Sequence, residues 1–90
     1  MNQPFAPAVT GDARRRISAN LKHLRMARNL SQEALAEYAN FHRTYVSQLE
    51  RCVTNISIDG LERLANALEV DVRDLLRPIA EIAPQADRGG

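Results

Sequence analysis

Residues 31–51 read SQEALAEYANFHRTYVSQLER. Ser31 is a helix-capping residue, because its hydroxyl can accept a hydrogen bond from an otherwise unpaired N–H of a first turn such as Gln32-Glu33-Ala34. Leu35, Ala36 and Ala39 then supply one apolar face, which predicts a helix ending at Ala39 or Asn40. A second short helix is predicted from Arg43 to Glu50 or Arg51, with Val46 and Leu49 turned inward. Two short helices that cross at close range need a small side chain at the contact, and Ala36 is that residue. The tight turn between them needs a residue tolerant of positive φ; Gly is the usual choice and Asn the next, so Asn40 fits. Phe41 follows as a plug for the core.

The flanking sequence extends this helical pattern. Ile17, Leu21, Leu24 and Ala27 fall on one face of a helix predicted from Asp12 to Arg28, which Asn29-Leu30 breaks. Ser57 caps a further helix with Ile58, Leu61, Leu64, Ala65 and Leu68 inward. A fifth, short helix is capped by Asp71, with Asp74 three residues on as a capping-box partner. Val72, Leu75 and Leu76 give it an apolar stripe, and Pro78 stops it. No proline and one glycine lie between residues 12 and 76, with no alternating strand pattern. The predicted fold class is all-α, a five-helix domain over residues 12–76. Residues 1–11, with two prolines and a glycine, read as a flexible arm, and residues 77–90 as a flexible tail.

Composition narrows the function classes. Ninety residues make one domain, and 44% hydrophobic with 26% charged residues is an ordinary globular balance. The aromatics are Phe5, Tyr38, Phe41 and Tyr45, too few for a surface on which single-stranded bases stack. Cys52 is the lone cysteine, so no internal disulfide forms. No metal-ligand spacing, glycine-rich phosphate loop or nucleophile–base set is present. The expectation is a protein that is no enzyme and uses no cofactor, metal or small-molecule ligand. No apolar run has the length of a membrane span, and the N-terminus lacks a signal-peptide pattern, so the expected location is the cytoplasm. Charge is uneven along the chain. Residues 1–52 carry eight Lys/Arg against four acids, whereas residues 53–90 carry four against seven. One half can therefore attract a polyanion while the other faces away from it.

The outer face of the helix starting at Arg43 presents Arg43, Thr44, Ser47 and Gln48. These residue types suit groove edges and phosphates, where an ordinary solvent face more often carries Lys and Glu. Two core helices joined by a turn account for the apolar spacing but not for these polar types. The stretch reads as a helix-turn-helix whose second helix enters the major groove of double-stranded DNA.

The ordered set is more specific still. Leu21-Lys22-His23-Leu24-Arg25, Leu30-Ser31-Gln32-Glu33-Ala34-Leu35-Ala36, Arg43-Thr44-Tyr45-Val46-Ser47-Gln48-Leu49-Glu50-Arg51 and Leu61-Glu62-Arg63-Leu64-Ala65-Asn66-Ala67-Leu68 together resemble the lambda-repressor-like (Cro/cI-type) helix-turn-helix family over residues 17–76. His42-Arg43-Thr44-Tyr45-Val46 also resembles the controller proteins of restriction–modification systems. The resemblance implies a five-helix bundle acting as a homodimer on a two-fold symmetric operator, with recognition helices in successive major grooves about 34 Å apart. It matches Arg43, Thr44 and Gln48 to base-reading positions and Gln32, at a helix N-terminus, to a phosphate contact. Tyr45, Ser47 and Asn55 are further phosphate candidates. Arg25 and Glu50 match a buried or half-buried pair joining the first and third helices. The chain departs from the family where Cys52 replaces a usual glycine and Ile56 a frequent proline. Either the backbone at Cys52 is left-handed, at a cost of about 1 kcal/mol relative to Gly, or the third helix is longer.

Several residues keep two readings. Arg14-Arg15-Arg16 either touch the DNA backbone or form a solvated helix start. Val72, Leu75 and Leu76 either form a dimer interface or close the monomer core. His42 either caps its helix or contacts DNA. A second function class is an antitoxin that binds a partner toxin through residues 77–90 and represses its own operon.

Overall fold

The computed structural model describes residues 11–82. Four α-helices follow in order: α1 (Asp12–Ala27), α2 (Gln32–Ala39), α3 (Arg43–Glu50) and α4 (Ile58–Leu68). Two 3-10 turns complete the described chain, Val72–Leu75 and Ile79–Glu81. There is no strand among the described residues. The predicted arm, up to residue 10, and residues 83–90 of the predicted tail lie outside them.

Serine caps open two of the helices, α2 and α4. Ser31 Oγ accepts the Ala34 N–H at 2.9 Å and Ser57 Oγ the Gly60 N–H at 2.9 Å. Asn40 ends α2 in the left-handed conformation expected of it, at φ 62°. Cys52 is left-handed too, at φ 64°, so α3 stops at Glu50 and the longer-helix alternative falls away.

The predicted fifth helix is a correction. Val72–Leu75 makes a single 3-10 turn, closed by i→i+3 bonds from Asp74 N to Asp71 O at 2.8 Å and from Leu76 N to Arg73 O at 3.0 Å. The capping box forms, with the Asp71 N–H donating to Asp74 Oδ2 at 3.1 Å. The turn cannot lengthen into an α-helix because Arg77 precedes Pro78, and a residue before proline is driven out of the helical region. The chain then turns again at Ile79–Glu81, inside the segment read as a flexible tail.

One core joins these elements. Ile17 and Leu21 of α1, Leu35, Ala36 and Ala39 of α2, Val46 and Leu49 of α3, Leu61, Leu64, Ala65 and Leu68 of α4, and Leu75 are all buried. Each fully buried leucine contributes about 1.5–3 kcal/mol. Two expected core positions differ. Ile58 is 73% exposed, because the packed face of α4 runs through Gly60, Leu61 and Leu64 instead. Ala27 is exposed at the end of α1. A Cβ on Gly60 would lie 2.9 Å from Ile56 Cγ1 and 3.3 Å from Phe41 Cζ, so only glycine lets the start of α4 approach this closely.

Candidate nucleic-acid interface

The candidate surface is built by the split of α3 into two faces. Val46 and Leu49 are buried, which orients the helix and leaves Arg43 and Thr44 exposed and Ser47 and Gln48 half-exposed on the other side. The four polar residues therefore share one open face. His42 occupies the N-cap position of α3 but its side chain makes no capping bond. It stands exposed beside Arg43, and the capping alternative for it is set aside.

The start of α2 sits next to this face. Arg25, Ser31, Gln32, Glu33 and Arg43 line one open depression. Gln32 is not loose there, because its Nε2 donates to Glu50 Oε1 at 3.1 Å. Glu50 also receives Arg25 Nε on Oε2 at 2.6 Å and Arg25 Nη2 on Oε1 at 2.9 Å. Arg25 Nη1 reaches the Leu30 carbonyl at 2.7 Å, so one guanidinium ties α1, the α1–α2 loop and α3 together. The side chains of Arg25 and Glu50 are 13% and 5% exposed, so the buried or half-buried pair implied by the family resemblance is a buried one.

Tyr45 lies on the side of α3 towards the following loop. Its ring meets Phe41 at 5.0 Å between centroids, and its hydroxyl donates to the Asn55 carbonyl at 2.6 Å. Burial raises its pKa, with Arg63 opposing the rise, so it stays a neutral phenol at physiological pH. Its one hydroxyl hydrogen is engaged with Asn55, which bears on its expected role as a phosphate donor.

The helix-turn-helix family model matches residues 21–75. The chain belongs to the helix-turn-helix family. It is 38% identical over 69 residues to the control protein C.BamHI of Bacillus amyloliquefaciens, covering 76% of this chain and 85% of that protein. The crystal structure of the hypothetical transcription factor NHTF from Neisseria superposes with a TM-score of 0.75 at 35% identity, covering 89% of this chain and 92% of that one. The restriction–modification controller protein C.Esp1396I, solved as a tetramer in complex with its natural 35 base-pair operator, superposes with a TM-score of 0.63 at 30% identity, covering 72% of this chain and 96% of that one. The antitoxin alternative gains no support from these similarities.

From outside the helix-turn-helix motif, Arg63 of α4 holds the turn in a way its sequence position did not announce. Its guanidinium lies 4.0 Å from the Phe41 ring centroid, donates from Nε to the Ala39 carbonyl at 3.1 Å and bonds the Asn40 carbonyl from Nη2. It thereby satisfies carbonyls left unpaired at the end of α2 and clamps the turn. A lone Arg on the polar side of α4 carries no signal for this. Asn20 was also missed. It is buried, and its Nδ2 donates to the Arg16, Leu75 and Arg77 carbonyls at 2.8, 3.3 and 3.0 Å. A signal existed, since Asn is a poor helix former and sits here between the core residues Ile17 and Leu21.

Of the three residues read as a dimer interface or monomer core, Leu75 is buried in the chain's own core. Val72 and Leu76 pack against that core but remain half-exposed. Among the described residues no His/Cys/Asp/Glu group could hold a metal, and no helix is long and apolar enough to cross a membrane.

Proposed function

We propose that this chain is a sequence-specific, DNA-binding transcriptional regulator of the controller type, binding a two-fold symmetric operator as a homodimer and acting on its own gene. The observation that carries the reading is the division of α3, with Val46 and Leu49 buried and Arg43, Thr44, Ser47 and Gln48 sharing the outer face. In this reading Arg43 grips guanine through two N–H groups and Gln48 does the same with adenine, while Thr44 hydrogen-bonds a neighbouring base. Gln32, oriented by Glu50, keeps a second amide hydrogen for a phosphate at the N-terminus of α2. Ser47 and Asn55 add phosphate contacts, and Tyr45 does so only by releasing its hydroxyl hydrogen from the Asn55 carbonyl. Val72 and Leu76, supported from beneath by Leu75, form the patch through which two copies meet.

The test is a gel shift of the purified protein against its own upstream DNA, over a salt series with competitor DNA. A discrete complex that survives competitor and weakens steeply with salt is the expected result. Smears that competitor removes would overturn the reading.

A further inference from the structure

The three arginines that open α1 look alike in sequence but not in structure. Arg15 and Arg16 both pair with Asp12, at 3.6 and 3.2 Å, and Arg16 also donates to the Leu76 carbonyl at 3.2 Å. Their charge is partly neutralised or turned towards the 3-10 turn. Arg14 pairs with no carboxylate among the described residues. Instead its Nε donates to Asn55 Oδ1 at 3.1 Å, across 41 residues of sequence.

This places Arg14 at the loop that follows the recognition helix. Arg14, Ser18 and Arg25 recur along one stripe of α1, and each touches the end of α3 or that loop. Arg25 holds the Glu50 carboxylate, Ser18 Oγ donates to the Glu50 carbonyl at 2.6 Å, and Arg14 holds Asn55. Asn55 is fixed from two sides, since its carbonyl accepts from Tyr45 and its Oδ1 from Arg14. With Oδ1 so engaged, the amide NH2 is the end left to donate outward. Residues 53–57 contain no Lys or Arg, so the loop has no cation of its own.

We infer that Arg14 is a DNA-backbone contact, supplying to this loop the charge it lacks. Its exposed guanidinium and the Asn55 amide form a two-residue clamp on one phosphate beside the recognition helix. Nε is held by Asn55, which orients the remaining N–H groups. The inference rests on the DNA-binding reading above and adds a residue outside the helix-turn-helix to it.

The experiment measures affinity against salt concentration for the full chain on one duplex recovered by the wild-type protein from a random pool. Arg14→Gln should make the slope of log affinity against log salt shallower by about 0.9 for each subunit on the DNA. Arg14→Lys, which keeps the charge, should restore most of it, and Arg15→Gln should leave the wild-type slope. An unchanged slope in Arg14→Gln, with wild-type binding intact, overturns the clamp and leaves the regulator reading standing. Equal flattening by Arg15→Gln overturns it too, because the effect is then the general field of the helix start. A wild-type chain that recovers no duplex overturns both.

Discussion

Arg25 grips both carboxylate oxygens of Glu50, and Gln32 shares the second of them. A single buried carboxylate thus fixes the end of α3, the start of α2 and the last turn of α1. Glu50→Ala would leave a guanidinium in the interior with no counter-charge. The expected loss is about 3–5 kcal/mol, read from a urea titration, whereas Arg25→Met with Glu50→Leu together should come out near neutral. A single variant that loses less than about 1 kcal/mol would show that the pair is not desolvated as its burial implies.

Cys52 holds a backbone conformation that suits glycine. Cys52→Gly should stabilise the fold by about 1 kcal/mol. In a domain of this size that is a rise of roughly 4–8 °C in the thermal midpoint. DNA affinity should stay as it is, since the thiol makes no described hydrogen bond.

Gly60 shows the opposite behaviour. Alanine is the better helix former, yet a methyl group here meets Ile56, Ser57 and Phe41 together. Gly60→Ala should destabilise by about 1–3 kcal/mol. A thermal midpoint at or above that of the wild type would mean that α4 can back away freely.

Arg43 is exposed and supports nothing in the core. Arg43→Ala should leave the thermal midpoint alone and weaken specific binding by about 1–3 kcal/mol, with preference relaxed at one base pair. A footprint identical to that of the wild type would remove Arg43 from the base-reading set.

Asp74 gives an acid-dependent term. Its pKa is lowered, chiefly by its hydrogen bonds from Arg77, then by the Asp71 backbone and the charges of Arg77 and Arg73, against an opposing desolvation. The native state therefore holds the carboxylate more firmly ionised than the unfolded chain does. Its stabilisation is full above the ordinary Asp value of about 3.9 and is lost as pH falls through the lower native value. The gap in thermal midpoint between wild type and Asp74→Asn should hold near neutral pH and narrow as pH falls below the ordinary Asp value of about 3.9. A gap that is constant with pH would assign the effect of Asp74 to its capping geometry alone.

What the sequence disclosed and what it hid divide along a physical line. Ser31, Asn40, Ser57 and the Asp71–Asp74 pair act through their own neighbours, so their roles were legible at short range. The apolar spacing of α3 likewise gave its outer face directly. Arg63, Asn20 and Arg14 act across 24, 57 and 41 residues, and no local pattern encodes such partners. The fifth helix failed for a related reason: its stripe and cap are real, but seven residues from Asp71 to Arg77 before a proline leave room for one turn. Ile58 failed because periodicity cannot tell which end of a stripe the neighbouring chain covers.

The clasp of Arg63 on the α2 carboxyl end, and of Arg25 and Ser18 on the end of α3, means that the α2–α3 pair is not portable. A peptide of residues 31–52 would carry every side chain of the outer α3 face yet none of the three residues that fix its two helices from outside. Grafted alone into another scaffold it would keep its alphabet and lose its spelling, since the mutual pose of the two helices is dictated by α1 and α4.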